Sequence, residues 1–359
     1  MSRAAVRILH PEPAAGAGEL TRLLAQGRAL VAEALAGRFL RLGADDLDVR
    51  SGPPGAVSFG ERLRGLAGEL DGRTGLVVLG SGSIPLVMDD DLRALLATAA
   101  SGERRALTNN RYSSDVVAVG DAAIVGMVPD IASDNALPRW LEEAGVPVEE
   151  LPDRDRLALD LDSPLDLELL RRHPACPAPL KALAAANSDL LARVAETFDA
   201  LAAIARDPRA ELLVAGRLSA SALRALEVGT ACRIRALVEE RGLRTAAPGQ
   251  RPPASTLGLL LDREGPGAIG AVVERLADGA LLDTRVPLAH RLGADESAWP
   301  GPEDRYASDL LLADRIADPW LRDLTRSAAS HRLPIALGGH TLVGPGLGLA
   351  LGIAPPLDR

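Results

Sequence analysis

The stretch 76–86 constrains the fold more than any other. Residues 76–79, Leu-Val-Val-Leu, are followed at once by Gly-Ser-Gly-Ser and then by Ile-Pro-Leu. A short apolar run bounded by turn residues is typical of a strand that is buried on both faces of an α/β sheet. Loops that follow such strands lie at the carboxyl edge of the sheet, where α/β proteins bind ligands. The stretch therefore predicts an α/β fold with a ligand site near residues 80–83.

The chain is too long for one compact core. Its 359 residues favour two domains. Three prolines crowd into 174–179, which predicts a linker at 173–179 between a first domain, 1–172, and a second domain, 180–359. Predicted strands and helices alternate in both halves, so we expect two doubly wound, mostly parallel sheets.

Hydrophobic patterning predicts the elements of the second half. Apolar runs indicate strands at 211–216, 257–262, 280–286 and 335–339. Helical spacing indicates helices at 219–226, 234–241, 269–276 and 319–330. In the first half, the same criteria predict a short strand at 157–161.

Charge and composition exclude several classes of partner. The formal net charge of −9 and the isoelectric point of 5.2 give no electrostatic basis for binding nucleic acid or an anionic membrane. The sequence has neither a signal-peptide pattern nor an apolar run of about 20 residues, so we expect a cytoplasmic protein with no membrane association. Cys176 and Cys232 predict reduced thiols rather than a disulfide framework. Because Lys181 is the only lysine, no lysine can bind a phosphate in the first half.

The loop after the predicted strand 76–79 is a candidate anion site. It consists of Gly80, Ser81, Gly82 and Ser83. Its glycines permit close approach of a ligand to the backbone, and its N–H groups and hydroxyls suit an anion without a lysine. A flexible turn would explain the same four residues, and the sequence does not separate the two interpretations.

A second polar loop follows at 109–115. Among its residues are Asn109, Asn110, Arg111 and Ser114. So many short polar side chains in an otherwise apolar chain favour contact with a ligand. The alternative is a loop held by its own hydrogen bonds to the protein.

Residues 70–170 resemble a known family. The resemblance rests on the strand followed by Ile-Pro-Leu-Val and an acidic helix start, the Thr-Asn-Asn loop, the Ser-Asp-Asn-Ala-Leu segment at 133–137, and Leu-Asp-Leu-Asp-Ser-Pro-Leu-Asp-Leu at 159–167. These motifs resemble nucleotidyltransferases of the glycosyltransferase-A-like fold, particularly molybdenum cofactor guanylyltransferases and the phospholactate guanylyltransferases of deazaflavin cofactor synthesis. The resemblance implies transfer of a nucleotidyl group from a nucleoside triphosphate to a small phosphorylated acceptor, with Mg²⁺ bridging the phosphates.

The resemblance also implies roles for single residues. Asp162 takes the position of a catalytic metal ligand, and Asp166 caps or orients the helix that follows. The alternative is that Asp160, Asp162 and Asp166 only cap a helix. Two departures matter: Ser83 stands where the family has its first metal-binding aspartate, and the family's phosphate-binding lysine is absent. A neutral hydroxyl is a poor ligand for Mg²⁺. Binding of a phosphorylated metabolite without catalysis, as a sensor or scaffold, is therefore the alternative function.

The second half resembles no family we recognise, but polar residues follow two of its predicted strands. Asp283 and Arg285 end one strand, His290 follows in the next segment, and His340 follows Gly338-Gly339 after the last strand. If these strands are parallel, the four side chains converge on one edge of the sheet. The third hypothesis is thus a hydrolase or transferase site at Asp283, His290 and His340. The sequence leaves the oligomeric state open.

Overall fold

The computed structural model describes residues 3–52, 57–71, 74–131, 134–239 and 252–353. The chain forms two compact units. Unit 1 consists of Met1–Ala17 and Leu24–Leu161, and unit 2 consists of Gly18–Leu23 and Asp162–Arg359. Each unit contains one sheet with helices, so the prediction of two α/β domains is confirmed. In the described part of the chain, no helix combines the length and the apolar character needed to cross a bilayer.

Unit 1 contains both strands and helices, and its predicted strand at 76–79 lies within the strand Thr74–Gly80. The strands are β1 (Arg3–Pro11), β2 (Asp46–Gly52), β3 (Thr74–Gly80), β4 (Ala106–Thr108), β5 (Val116–Val119) and β6 (Val148–Glu150). The helices are α1 (Glu19–Arg41), whose first residues belong to unit 2, α2 (Phe59–Gly68), α3 (Asp89–Ala99), α4 (Ala122–Val125), α5 (Leu137–Glu143) and α6 (Arg154–Leu157). Ser133, in the predicted Ser-Asp-Asn-Ala-Leu segment, lies outside the described residues.

The sheet of unit 1 is mixed, with strand order β2-β1-β3-β5-β4-β6. β1 pairs in parallel with β2 and β3, whereas β5 runs antiparallel to both of its neighbours. The loop 109–115 is too short for the crossover that a parallel β4–β5 pair requires, so the two strands form an antiparallel pair. The buried run Leu76–Leu79 occupies the centre of the sheet, with Leu76 opposite both Ala5 and Val119.

Unit 2 contains a parallel sheet of order β10-β9-β7-β8. Its strands are β7 (Glu211–Gly216), β8 (Arg233–Val238), β9 (Gly279–Asp283) and β10 (Ile335–Gly338). Its helices are α7 (Leu165–Arg171), α8 (Ala178–Ala186), α9 (Ser188–Arg206), α10 (Ala220–Gly229), α11 (Thr256–Glu264), α12 (Ile269–Glu274), α13 (Arg285–Leu292), α14 (Pro302–Asp309), α15 (Pro319–Ser330), α16 (His340–Val343) and α17 (Leu347–Leu351).

Two predictions for unit 2 are wrong in opposite directions. Residues 234–241 were expected to be helical, but β8 is a mostly exposed edge strand whose arginines alternate with apolar residues. Residues 257–262 were expected to form a strand, but they lie in α11. Ser255 accepts a hydrogen bond from the Gly258 N–H and so caps this helix. Short apolar runs fit either structure, and here the cap and the packing of Gly258 against His290 select the helix.

The chain passes from unit 1 to unit 2 between Leu161 and Asp162. The proline-rich segment 173–179 lies inside unit 2, where Pro177 directly precedes α8. Residues 158–161 form no strand, because the Leu161 N–H makes a single hydrogen bond to the Gly82 carbonyl rather than a ladder. The strand predicted at 157–161 is therefore wrong, and Asp162 belongs to unit 2.

Candidate functional sites

The Gly-Ser-Gly-Ser loop of unit 1 is an ordered turn. The hydroxyl of Ser81 lies 3.0 Å from Nδ1 of His10, and the Ser83 N–H donates to the Gly80 carbonyl at 3.2 Å. Both serines are buried. Ile84, which follows, has φ of 45°, a conformation that is unusual for a β-branched residue. The Ser81 hydroxyl and the Ser83 N–H hold the turn in place, and anion binding by this loop stays a prediction.

Asn109 cross-links the second polar loop. Its Nδ2 donates to Oδ2 of Asp115 at 2.8 Å and to the Leu157 carbonyl at 3.0 Å. Its Oδ1 accepts from the backbone N–H groups of Asp115 and Val116. The amide is fully buried, and both of its polar atoms are used. Asn109 thus binds three parts of unit 1 together.

The other residues of this loop are similarly engaged. Oδ1 of Asn110 accepts from the N–H groups of Tyr112 and Ser113 and from Nη2 of Arg154. Arg111 pairs with Glu142 at 2.7 Å and donates to the Val148 carbonyl. The Ser114 hydroxyl lies 3.0 Å from that of Thr108. These contacts favour the internally hydrogen-bonded loop, the alternative that the sequence left open.

Two adjoining pockets open at the carboxyl ends of β1, β2 and β3. The larger has a volume of about 320 Å³ and the smaller about 190 Å³. Both are lined by Leu9, Pro11 and Arg62, and we call them together the unit 1 cleft. Gly80 and Ser114 line the smaller pocket, so two of the predicted ligand-binding residues border this cleft.

Arg62 differs from the other arginines at this edge. Its half-buried side chain makes no hydrogen bond or ion pair with any residue that the structure describes. By contrast, Arg64 on the same helix pairs with Asp130 at 2.6 Å, and Arg50 in the larger pocket is bound to Asp48 and Glu69. Arg62 was not among the predicted site residues. It lies four residues before Leu66, at the border of the apolar face of α2, which is the signal that could have found it.

His10 completes the larger pocket. Burial lowers the pKa of its imidazole, and the charge of Arg28 lowers the pKa further. The ring is therefore neutral at pH 7, and Arg62 is the cation that remains available to a ligand in the unit 1 cleft.

In unit 2, three strand ends meet at one edge. β7, β9 and β10 are parallel neighbours, so the residues that follow them lie side by side. The chain places Arg217 after β7, Asp283 at the end of β9 with Arg285 two residues later, and His340 after β10. The structure thus brings together three of the four residues expected to converge here.

Asp283 is the buried anion of this edge. Its carboxylate accepts from Nε of Arg217 at 2.5 Å and from Nη2 at 3.1 Å. Although burial acts to raise it, the charge of Arg217 holds the pKa of Asp283 below its ordinary value. Gly216 has φ of 135°, and a Cβ atom there would lie only 2.2 Å from Cβ of Asp283. The close approach of β7 to β9 therefore requires glycine.

A second buried ion pair lies beside the first. Nη1 and Nη2 of Arg285 donate to the two carboxylate oxygens of Asp309 at 2.5 and 2.7 Å, and Nη1 also donates to Thr284. Although burial acts in the opposite direction, the Asp309 carboxylate raises the pKa of Arg285, which stays charged. Bidentate pairing of this kind fixes the orientation of a guanidinium group.

His340 lies next to these pairs. Burial lowers the pKa of its imidazole, as does the charge of Arg217, and Asp283 opposes them. The Nδ1 atom is buried and has no hydrogen-bond partner in the described part of the chain. The ring is neutral at pH 7 and retains one unused ring nitrogen.

Asp162 and Asp166 have different environments. Asp166 is buried, and its Oδ2 accepts from the N–H groups of Asp162 and Ser163 at 2.8 and 2.7 Å. Burial, followed by the charge of Asp162, raises the pKa of Asp166 to about 8. Asp166 therefore caps the turn as a mostly neutral carboxyl at pH 7, whereas Asp162 is exposed.

His290 does not join the others. Its Nδ1 accepts from the Ser255 N–H at 3.1 Å, and its Nε2 lies 2.9 Å from Oδ2 of Asp262. Both ring nitrogens are engaged with α11 and the residues before it. We find no contact between His290 and Asp283 or His340 among the described residues, because His290 lies at the far end of α13 from Asp283.

The carboxyl groups around Asp162 bear on the predicted Mg²⁺ site. Within the described ranges, no group of three or more His, Cys, Asp and Glu residues is arranged to hold a metal. Asp166, the carboxyl next to Asp162, is protonated below about pH 8 and accepts two backbone N–H groups. Mg²⁺ prefers ionised oxygen ligands, and Asp166 is not one at neutral pH, so binding of Mg²⁺ at Asp162 stays a prediction.

Comparison with known proteins gives no family. No protein-family model matches the chain, and no curated protein matches it. Among solved structures, it is similar to the crystal structure of a Mycobacterium tuberculosis rv0371c homolog from Mycobacterium sp. strain JC1, at 16% sequence identity. The match covers 51% of this chain and 98% of that chain, with a TM-score of 0.29. A TM-score this low gives no basis for transferring a function.

Proposed function

We propose that the protein is nucleotidyltransferase-like and that unit 1 binds a nucleotide, or another phosphorylated small molecule, in the unit 1 cleft. The observation that carries this proposal is the guanidinium of Arg62, which lines both pockets and has no partner among the described residues. A half-buried cation without a carboxylate is stabilised by an anionic ligand, and a phosphate suits the planar donors of arginine.

The shape and lining of the cleft support a nucleotide. The larger pocket is at the lower end of the size range of small-molecule sites, which is roughly 300–1,000 Å³. Leu9, Pro11 and Leu66 supply apolar walls against which a base can pack, and Arg62 lies beside them. The cleft is also at the carboxyl edge of the sheet, where the loops of α/β proteins bind ligands.

Binding is better supported than transfer. The described residues offer Mg²⁺ no cluster of ligands, so no step of the proposal passes through the metal. In the binding role, Arg62 supplies a positive charge, and the neutral His10 ring, which contacts the Ser81 hydroxyl, lines the larger pocket at the end of β1. Nucleotidyl transfer needs a further set of carboxylates.

Calorimetry tests the proposal directly. GTP, CTP and ATP are titrated into the full chain with and without Mg²⁺, and at least one is expected to bind. Arg62→Gln should weaken that binding about 10- to 100-fold, the effect of losing a charge-assisted hydrogen bond. Arg64→Gln is the matched control on the same helix and should leave the affinity unchanged. Absence of binding by all three nucleotides, or equal binding by the Arg62 variant, would contradict the proposal.

The same titration, together with an assay of pyrophosphate release, distinguishes a binding protein from a transferase. If the chain is a sensor or scaffold, the affinity should survive a chelator and Asp162→Ala. If it transfers a nucleotidyl group, both changes should reduce the release of pyrophosphate from the nucleotide that binds.

A further inference from the structure

We propose that Arg217 and Arg285 of unit 2, beside Gly339, bind a small oxyanion, the carboxylate or phosphate of a second ligand. This site is independent of the unit 1 cleft. It lies at the carboxyl edge of β7, β9 and β10.

The two guanidinium groups border one space. A Cβ atom added to Gly339 would lie 3.6 Å from Nε and 3.8 Å from Cζ of Arg285, and 4.0 Å from Nη2 of Arg217. These are ordinary van der Waals distances, so one added atom fits beside Gly339 in contact with both guanidinium groups. An oxygen atom in this space is therefore within reach of both arginines.

Both arginines are held rigidly and keep a donor free. Asp283 engages Nε and Nη2 of Arg217, and Asp309 engages Nη1 and Nη2 of Arg285. Nε of Arg285 makes no hydrogen bond with any residue the structure describes, and Nη2 of Arg217, the atom of that side chain nearest Gly339, uses only one of its two N–H groups, on Asp283. Side chains locked by such neighbours bind a ligand without further loss of conformational entropy.

Charge limits what can bind. Each guanidinium is balanced by one buried carboxylate, so the directed N–H donors rather than a net positive charge attract the ligand. A small anion fits this balance better than a polyphosphate.

The alternative is that the two ion pairs only stabilise the end of the sheet and bind no ligand. Gly339→Ala distinguishes it, since the added methyl fills the space while its contacts remain ordinary. The backbone of Gly339, with φ of −106° and ψ of −157°, accepts alanine without strain. Gly301→Ala is the control. Gly301 also lies in unit 2 and has extended backbone, but a methyl group added there meets no atom within 4 Å.

The experiment titrates inorganic phosphate and acetate separately into the full chain and both variants. At least one anion should bind the wild type at millimolar concentrations. Gly339→Ala should weaken it at least tenfold, Gly301→Ala should not, and both variants should keep the wild-type melting temperature. The anion that binds more tightly identifies the ligand as a phosphate or a carboxylate.

A third variant, Arg62→Gln, distinguishes phosphate binding in the unit 1 cleft from phosphate binding in the unit 2 site. If Arg62→Gln abolishes the binding and Gly339→Ala leaves it intact, the anion occupies the unit 1 cleft and the unit 2 site is overturned. The unit 2 proposal is equally overturned if neither anion binds the wild type, or if Gly339→Ala binds as well as Gly301→Ala.

Discussion

The arginines at the carboxyl edges of the two sheets differ in whether they are paired with a carboxylate. In unit 1, the polar loop around Asn109 uses its own groups, and one cation, Arg62, has no partner among the described residues. In unit 2, Arg217 and Arg285 are buried in ion pairs with Asp283 and Asp309. A ligand of unit 1 can therefore pair with the full charge of Arg62, whereas a ligand of unit 2 can bind only to those N–H donors of Arg217 and Arg285 that the ion pairs do not use.

The largest expected effect comes from breaking an ion pair of unit 2. Asp283→Asn leaves Arg217 charged and poorly compensated in a buried place, which should lower the free energy of unfolding by about 3–5 kcal/mol. Urea unfolding followed by circular dichroism measures it. Asp314→Asn, which breaks an exposed pair with Arg326, should change little. Similar values for the two variants would remove the contrast between buried and exposed charge.

The hydrogen-bonded loop of unit 1 is tested by Asn109→Ala. The change strands the N–H groups of Asp115 and Val116 and the Leu157 carbonyl, so we expect a loss of about 2–3 kcal/mol. Asn187→Ala is the comparison, because that side chain makes a single hydrogen bond to the Leu183 carbonyl and should cost less. A near-neutral Asn109→Ala would instead revive the view that the loop is built for a ligand.

Asp166 should make the stability of unit 2 depend on pH. Its pKa is raised from 3.8 to about 8, so the folded state keeps a proton that the unfolded state has already lost. Its stabilising contribution is complete below pH 3.8 and is lost as the pH rises towards 8. Between pH 6 and pH 7.5 the loss is about 2 kcal/mol.

Asp166→Asn removes this dependence and keeps an oxygen that can accept from the Asp162 and Ser163 N–H groups. Urea unfolding at both pH values, for wild type and variant, gives the measurement. Parallel pH profiles would show that Asp166 is ionised in the folded state.

The smallest expected effects are on ligand binding, and they test whether the edges of the two sheets are separate sites. Arg62→Gln should affect nucleotide binding alone, and Gly339→Ala should affect small-anion binding alone. If each variant altered both, the two edges would not be separate sites.

Much of the fold was predictable because its signals are local. The continuous apolar run 76–79 indicated a buried strand and became part of β3, and helical spacing located α10, α12 and α15. The strands β7, β9 and β10 were also expected, and with them the meeting of Asp283, Arg285 and His340 at one edge.

Other features depended on contacts between residues distant in sequence. Segments 234–241 and 257–262 have compositions that suit either structure, and the pairing of β8 with β7 and the packing of α11 against α13 decided them. Asp162 follows directly from unit 1 along the chain, yet its contacts belong to unit 2.

The sequence by itself determined that this is a two-domain α/β protein with polar residues at the carboxyl ends of its strands. It did so because side-chain periodicity and turn residues act over a few neighbouring positions. Only the tertiary structure decided which charges are paired. Arg62 and Arg64 are two residues apart and look alike in sequence, but Asp130 reaches one of them alone. Burial and the distance to other charged groups set the ionisation and pairing of a side chain, and the local sequence predicts neither.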